Sequence, residues 1–291
     1  MLKRIDMNTP RSLPHVRNAI YSQPWAIQEQ WLNAICEIFE ASVNRENLEF
    51  EAVATPYRPD NGIKSPLLQM VDGVAVIPVR GPIFPRANLM TRLSGATSLD
   101  TLSAALDEAQ SLDPRAIILD IDSPGGSVSG LKDFCNEILG TNSSHDTIAM
   151  ITGTGASAAY MIASQCKSVM ASEGSIVGSI GVVMRVDNDE RADRNAGIDP
   201  IVIRSSELKA IGSGGPVTPA QQNELERMVD MYFSMFKSTV QSARPDLEMD
   251  KVATGQVWPG KSHNSEPSAK DMGLIDAVTT LKNLVSYHGV R

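Results

Sequence analysis

Residues 153–163 read Gly-Thr-Gly-Ala-Ser-Ala-Ala-Tyr-Met-Ile-Ala, and an apolar run from Ile148 to Ile151 precedes them. The apolar run predicts a buried strand, and the residues after Ser157 predict an apolar helix. Small residues on both sides of Ser157 allow another backbone to approach the serine closely. The N–H groups in the first turn of a helix can stabilise negative charge that develops beside them. The stretch therefore predicts an α/β fold with a serine at a strand-to-helix junction.

A glycine pair is the first feature that indicates a partner for this serine. Residues 122–126 read Asp-Ser-Pro-Gly-Gly and follow an apolar run from Ala116 to Ile121. A Pro-Gly pair is typical of a tight turn, but glycines also leave N–H groups open to a carbonyl oxygen. Ligands bind at the carboxyl ends of strands in open α/β sheets. Gly125 and Gly126 are therefore candidate donors to an oxyanion.

A serine nucleophile needs a base, and the sequence offers more than one candidate. Lys209 is flanked by apolar residues, and a lysine becomes a base when burial disfavours its charged form. Lys167 lies nearer in sequence, but a lysine at a helix end is explained by the helix dipole and solvent. His145 occupies a polar turn, so a Ser-His-Asp triad stays open without positive support. Spacing alone does not decide between the lysines.

The match of Ser157 to the hydrolase elbow G-x-S-x-G is incomplete. Ala159 stands where that motif has its second glycine. A lone serine among alanines is also often a simple packing residue. The setting of Ser157, rather than its identity, makes it a candidate nucleophile.

Composition limits the class of protein. The 291 residues are 42% hydrophobic and carry a net charge of −8, which supports a real core and disfavours a nucleic-acid partner. The cysteines Cys36, Cys135 and Cys166 form no CxxC pair, which argues against a disulfide framework or a zinc site. No metal or organic cofactor is expected. No secretory signal, membrane anchor or span of sufficient length is apparent, so we predict a cytoplasmic protein.

Strands and helices alternate in the pattern that follows residue 71. This alternation predicts β-α-β units in a largely parallel sheet. The predicted strands are 74–79, 116–121, 147–152, a short one near Val169, 180–184 and 200–203. The predicted helices are 99–110 with Ser98 as its cap, 129–139, 157–165, and 219–242 with Thr218 as its cap.

Residues 1–65 differ from the rest and predict an N-terminal helical appendage and linker, with a catalytic domain over 66–291. Apolar residues recur at helical spacing from Trp31 to Phe39, and Pro24 suits the first turn of that helix. The polar, proline-containing stretch 55–66 predicts a linker. The appendage either docks its apolar face on a neighbouring subunit or packs on the chain's own core.

Several segments, taken in order, resemble one peptidase family. They are 74–83, 122–126, 156–160, 178–183, Lys209, 255–260 and 273–276. This series is similar to the family of signal peptide peptidase A and the tailed-phage prohead proteases. The resemblance covers roughly residues 71–280.

The resemblance implies an α/β Clp/crotonase-like spiral of β-β-α units and a Ser-Lys dyad. Ser157 matches the nucleophile, and Lys209, 52 residues later, matches the general base. The N–H of Gly125 or Gly126, with that of Ala158, matches the oxyanion hole. Ser179 either orients the lysine or has a structural role. Family members form homo-oligomeric rings, and in some of them the serine and the lysine come from neighbouring protomers.

The function implied is that of a serine endopeptidase of phage or prophage capsid maturation. Its protein substrates would be scaffold, portal or capsid proteins and itself, in the host cytoplasm within proheads. The segment 23–27 and the following helix resemble the phage enzymes, whereas the N-terminal anchor of the bacterial membrane enzymes is not expected here. Any scaffold is expected as a separate protein. The glycine-rich residues 212–216, after the lysine, depart from the usual family pattern at the substrate edge.

Three alternatives remain at this stage. One is a cytosolic bacterial peptidase of the same family, without a capsid role. Another is an inactive, ring-forming assembly module that keeps the fold. The last is a crotonase-type acyl-CoA enzyme, which leaves the Ser157 and Lys209 pairing unexplained.

Overall fold

The computed structural model divides into two compact units. The smaller unit comprises residues 1–24, 29–51 and 184–229, and the larger unit comprises 25–28, 52–183 and 230–291. The residues that the structure describes are 20–21, 23–43, 65–87, 95–186, 190–195, 197, 199, 201–212 and 215–290. The domain boundary at residue 65 stays a prediction.

The main sheet of the larger unit is built on three long parallel strands. These are β3 (Val74–Arg80), β6 (Ile117–Ser123) and β8 (Thr147–Ala156), and β6 pairs with both of the others. The first part of β8 pairs with β9 (Ser168–Ala171), and its last part pairs with β10 (Ile176–Gly178). The remaining strands of this sheet are β2 (Gln69–Val71), β9 (Ser168–Ala171), β10 (Ile176–Gly178), β11 (Val257–Pro259) and β12 (Ala277–Val278).

A second, smaller sheet contains four short strands among the described residues. Its order is β1-β7-β4-β5, with β1 (Trp25–Ile27), β4 (Ile83–Phe84), β5 (Thr97–Ser98) and β7 (Gly125–Ser127). A main-sheet strand is followed by short second-sheet strands and then by a helix after both β3 and β6. This β-β-α repeat confirms the predicted fold class.

The helices lie near the five predicted positions and also at three that were not predicted, 190–195, 249–252 and 281–289. They are α1 (Glu29–Val43), α2 (Leu99–Ser111), α3 (Leu131–Thr141), α4 (Ala158–Ala163), α5 (Glu190–Asn195), α6 (Pro219–Ala243), α7 (Met249–Val252) and α8 (Leu281–Gly289). Ser98 Oγ accepts the N–H of Thr101, and Thr218 Oγ1 accepts the N–H of Gln221, each at 3.3 Å. Both predicted N-caps are therefore confirmed. None of the described helices is long and apolar enough to cross a bilayer.

The long strands are apolar on both faces because each face is covered. Ile77 and Leu119 lie in the core that also contains residues of α2, α3 and α4. Ile118 and Met150 point to the other face, where they cluster with Leu284 of α8. Nearly continuous apolar runs are what a doubly covered parallel strand requires.

Two predicted strands are wrong. The strand expected at 180–184 lies instead at 176–178, and Val183 forms only an isolated bridge. Residues 201–203 are not a strand, and Ile201 and Ile203 are 88% and 94% exposed. Their β-branched side chains favour a strand, but no strand among the described residues pairs with this segment.

The expectation for Pro24 is also wrong. Strand β1 follows it directly, and α1 begins only at Glu29. The helix itself is confirmed and buries Leu32, Ile35 and Phe39. Residues 55–64 of the predicted linker lie outside the described residues.

Candidate active site

Ser157 occupies a strained turn between β8 and α4. Its φ is 55° and its ψ is −120°, a conformation that costs a non-glycine residue about 1–3 kcal/mol. The turn is held by the Ser157 N–H, which donates to the Gly178 carbonyl at 2.8 Å. The Ser157 carbonyl in turn accepts the N–H of Met161 at 2.9 Å. Strain of this kind, held by surrounding structure, is typical of functional sites.

Apolar packing explains why the chain accepts this strain. Every residue of α4 is buried, and so is Ala156 on the strand side. Ser157 itself has 0% exposure. Its Oγ donates a weak hydrogen bond to the Gly181 carbonyl at 3.3 Å. The sequence did not identify Gly181 as a partner, although it lies in the segment 178–183 that carried the resemblance.

Gly125 lies directly beside Ser157. Its φ is +109°, and a Cβ built on it would lie 2.9 Å from the Ser157 Cβ and 2.2 Å from the Ala26 carbonyl oxygen. A Cβ at Gly126 would lie 2.1 Å from the Ile83 carbonyl oxygen. Both positions therefore require glycine because other backbone segments approach so closely. The structure brings Ser157, Ala158 and the glycine pair together, and their role as an oxyanion hole stays a prediction.

The segment around Ser179 supports the turn from the other side. Gly178 pairs with Ala156 of β8 and with Val257 of β11. Ser179 has a φ of 53°, and its N–H donates to the Gln256 carbonyl at 2.6 Å. The 255–260 segment therefore holds the backbone that accepts the Ser157 N–H. A role for Ser179 in orienting a lysine stays a prediction.

The candidate bases separate clearly in position. Lys209 belongs to the smaller unit, where its side chain is exposed and its N–H donates to the Ser206 carbonyl at 3.1 Å. Lys167 pairs with Asp146 at 2.7 Å, and its N–H donates to the carbonyl of Thr147, the first residue of β8. Ser157 follows the last residue of that ten-residue strand. Because a strand rises about 3.3 Å per residue, Lys167 lies roughly 30 Å from Ser157 and is excluded as its base within the chain.

The same geometry excludes His145 as the base within one chain. It precedes β8 by two residues, and its Nε2 lies 3.3 Å from the Asp113 carboxylate. It therefore sits at the end of β8 opposite to Ser157. A triad of Ser157 with His145 is not formed.

The buried thiols of the larger unit do not compete as nucleophiles. Burial raises the pKa of Cys135 and of Cys166 to about 12. A thiol with such a pKa is protonated at neutral pH, and the thiolate is the reactive form. Within the described part of the chain, no group of three or more His, Cys, Asp or Glu side chains could hold a metal ion.

Comparison with known proteins decides the family. The sequence model of peptidase family S49 matches residues 142–288, which is half of the chain and includes the Ser157 turn. A putative protease, slr0021 of Synechocystis, is 30% identical over 195 residues that cover 65% of this chain and 68% of the relative. The chain belongs to peptidase family S49. The predicted resemblance to serine peptidases is thereby confirmed.

Two further relatives of this chain come from phages. The head-tail preconnector protein GP5 of Enterobacteria phage P21 is 29% identical over 95% of this chain. The capsid assembly protease C of Escherichia phage lambda is 26% identical over 95% of this chain. The chain spans 57% of the first protein's length and 65% of the second's.

A solved structure is also similar to this S49 chain. It is a mutant of the 1510-N membrane-bound stomatin-specific protease in complex with a substrate peptide. The TM-score is 0.42 at 18% sequence identity, and the match covers 72% of this chain and 77% of that one.

Proposed function

We propose that this chain is a serine endopeptidase in which Ser157 is the nucleophile and Lys209 the general base. The observation that carries the proposal is the strained Ser157 turn, with its serine pressed against Gly125 at the N-terminus of α4. A serine nucleophile at a sharp strand-to-helix turn is a recurring arrangement in hydrolases. Membership of family S49 supports the same reaction.

In the proposed reaction, neutral Lys209 accepts the Ser157 hydroxyl proton while Oγ attacks the scissile carbonyl carbon. The N–H groups of Gly125 or Gly126 and of Ala158 stabilise the negative oxygen of the tetrahedral intermediate. The C–N bond then breaks, and the leaving amine takes the proton from the lysine. The same lysine then takes a proton from water, which attacks the acyl carbon. The bond from that carbon to Ser157 Oγ breaks, and the lysine returns the proton to Oγ.

To act as the general base, the Lys209 side chain must be less exposed to solvent than it is in the single chain. It is exposed here, and a lysine acts as a base when its charged form is destabilised by desolvation. A homo-oligomeric ring would supply that cover from a neighbouring protomer. We therefore propose that the active form is the ring.

The proposed role is maturation of a phage capsid. The two phage relatives align over 95% of the chain, which takes in most of the N-terminal region, whereas the Synechocystis protease aligns over 65%. The substrates would be scaffold and portal proteins and the chain itself, inside proheads in the host cytoplasm. A cytosolic bacterial peptidase is the second candidate, because the Synechocystis relative has the higher identity, 30%.

The experiment is intact mass spectrometry of the purified oligomer with unfolded casein and with phage scaffold and portal proteins. Ser157→Ala and Lys209→Ala are expected to lower cleavage at least about 1,000-fold. Lys167→Ala is the matched control and keeps the wild-type rate. Undiminished cleavage by Ser157→Ala overturns the mechanism. A well-formed ring that cleaves none of the substrates supports an inactive assembly module, and preference for casein supports the bacterial role.

A further inference from the structure

Strand β1 lies in a slot beside Ser157, with hydrogen-bonding partners on both of its edges. On one edge, Ala26 is opposite Gly126 in an antiparallel pairing with β7. On the other edge, Trp25 and Val183 exchange two backbone hydrogen bonds of 2.8 Å. Trp25–Gln28 belong to the larger unit, although the residues on both sides of them in sequence do not. This short segment is therefore docked on the core that contains Ser157.

The pairing places the chain's own backbone on a candidate oxyanion donor. The Gln28 N–H donates to the Pro124 carbonyl at 3.2 Å. Because bonded and non-bonded pairs alternate in an antiparallel ladder, Ala26 and Gly126 are the next bonded pair. The N–H of Gly126 is thus directed at the carbonyl of Ala26, a peptide carbonyl like that of a substrate.

The same segment lies close to the candidate nucleophile. A Cβ built on Gly125 would lie 2.2 Å from the Ala26 oxygen, 3.0 Å from the Ile27 Cα and 2.9 Å from the Ser157 Cβ. Strand β1 and the serine therefore approach one glycine together. Ala26 and Ser157 are both 0% exposed.

The side chains of β1 show that the slot accepts apolar groups. Trp25 is 1% exposed, and its ring meets that of Phe84 edge-on with centroids 5.7 Å apart. Ile27 is 5% exposed. A strand seated between two backbone edges, with pockets for alternate side chains, is how extended peptides are recognised by β-augmentation.

We propose that the slot between β7 and Val183 is the peptide-binding groove, and that β1 is a built-in occupant which leaves before a substrate can bind. This inference rests on the proposed peptidase function. The groove then takes extended, unfolded segments that place a small residue between two large apolar ones, as β1 does. Folded proteins without such a segment are not bound.

The test uses full-length oligomers of wild type, Trp25→Ala, Ala26→Pro and Trp31→Ala. Trp25→Ala empties the pocket beside Phe84, and Ala26→Pro removes a ladder N–H while keeping the aromatic anchor. Trp31→Ala is the matched control, because Trp31 lies on α1 and is 41% exposed. Circular dichroism and oligomer mass establish that each variant is folded.

The first readout is the fluorescence anisotropy of a labelled peptide with the sequence of residues 23–28, which requires no catalysis. Both β1 variants are expected to bind it at least ~10-fold more tightly than wild type and Trp31→Ala. The second readout is labelling of Ser157 by a fluorophosphonate probe, expected to accelerate in the same two variants. Equal peptide binding and equal labelling in all four proteins overturn the groove assignment. Tighter peptide binding with no labelling of Ser157 in any protein upholds the groove and refutes the nucleophile.

Discussion

The strain at Ser157 can be measured with glycine, which adopts positive φ without a steric penalty. The two variants Ser157→Ala and Ser157→Gly both lose the Oγ and its 3.3 Å bond to Gly181. They differ only in the Cβ, so their comparison isolates the cost of holding a side chain at a φ of 55°. Neither variant has a nucleophile, so stability is read without catalysis.

The reference for this comparison is Ala105, which is fully buried in the middle of α2. Ala105→Gly is expected to cost about 1 kcal/mol for the freer backbone and about 0.8 kcal/mol for the lost carbon. At position 157 the same step also relieves about 1–3 kcal/mol of strain. The alanine-to-glycine step is therefore expected to be about 1–3 kcal/mol more favourable at 157 than at 105. Ser157→Gly should therefore lie between about 0.8 kcal/mol less stable and about 1.2 kcal/mol more stable than Ser157→Ala, whereas Ala105→Gly loses about 1.8 kcal/mol.

The assay is urea unfolding followed by far-UV circular dichroism, with the free energy of unfolding taken from the midpoint and slope. Wild type, Ala105→Gly and the two Ser157 variants are measured at one temperature and pH. If the alanine-to-glycine step lowers the free energy of unfolding as much at position 157 as at position 105, the residue at position 157 is not held at positive φ. The strained-turn reasoning would then be refuted.

Two further predictions concern packing and thiol chemistry. Gly126→Ala is expected to lower the thermal midpoint, at a cost of about 1–3 kcal/mol, because its Cβ would lie 2.1 Å from the Ile83 oxygen. Gly140→Ala, with no atom within 4 Å, should stabilise the fold by about 0.5–1 kcal/mol and so raise the midpoint. Equal midpoints for the two variants would contradict the close approach. Burial raises the pKa of Cys135 and Cys166 to about 12, so iodoacetamide at pH 8 should modify neither in the folded protein and both in urea. Because the pKa is raised in the folded state, the stability that these buried thiols contribute is present below their unfolded-state pKa, near 8.5, and is lost as the pH rises towards 12. Peptide mapping after labelling of the folded protein is the check, and modification of Cys135 or Cys166 at pH 8 would contradict the prediction.

Much of the candidate site could be predicted because its pattern is local. The apolar runs of β6 and β8 determine two buried strands, and each is followed directly by the residues of interest. Parallel neighbours end at the same edge of a sheet, so Gly125 and Ser157 were expected together. Their contact is confirmed by the position of a Cβ on Gly125. The cap residues were predictable for the same reason, since a cap bonds within its own first turn.

What the sequence by itself determined is thus the α/β class, the long strands, helices α1–α4 and α6, and the serine at a strand-to-helix junction. Only the tertiary structure decided that Trp25–Ile27 is a strand rather than the approach to a helix. Its partners, Gly126 and Val183, lie about 100 and 160 residues away, and strand pairing depends on such distant edges more than on local letters. The exposed segment 201–203 shows the converse, because strand-forming letters without a paired edge remain irregular. The sequence did not predict that β1 lies beside Ser157, because this position depends on pairing with residues that are far away in the sequence.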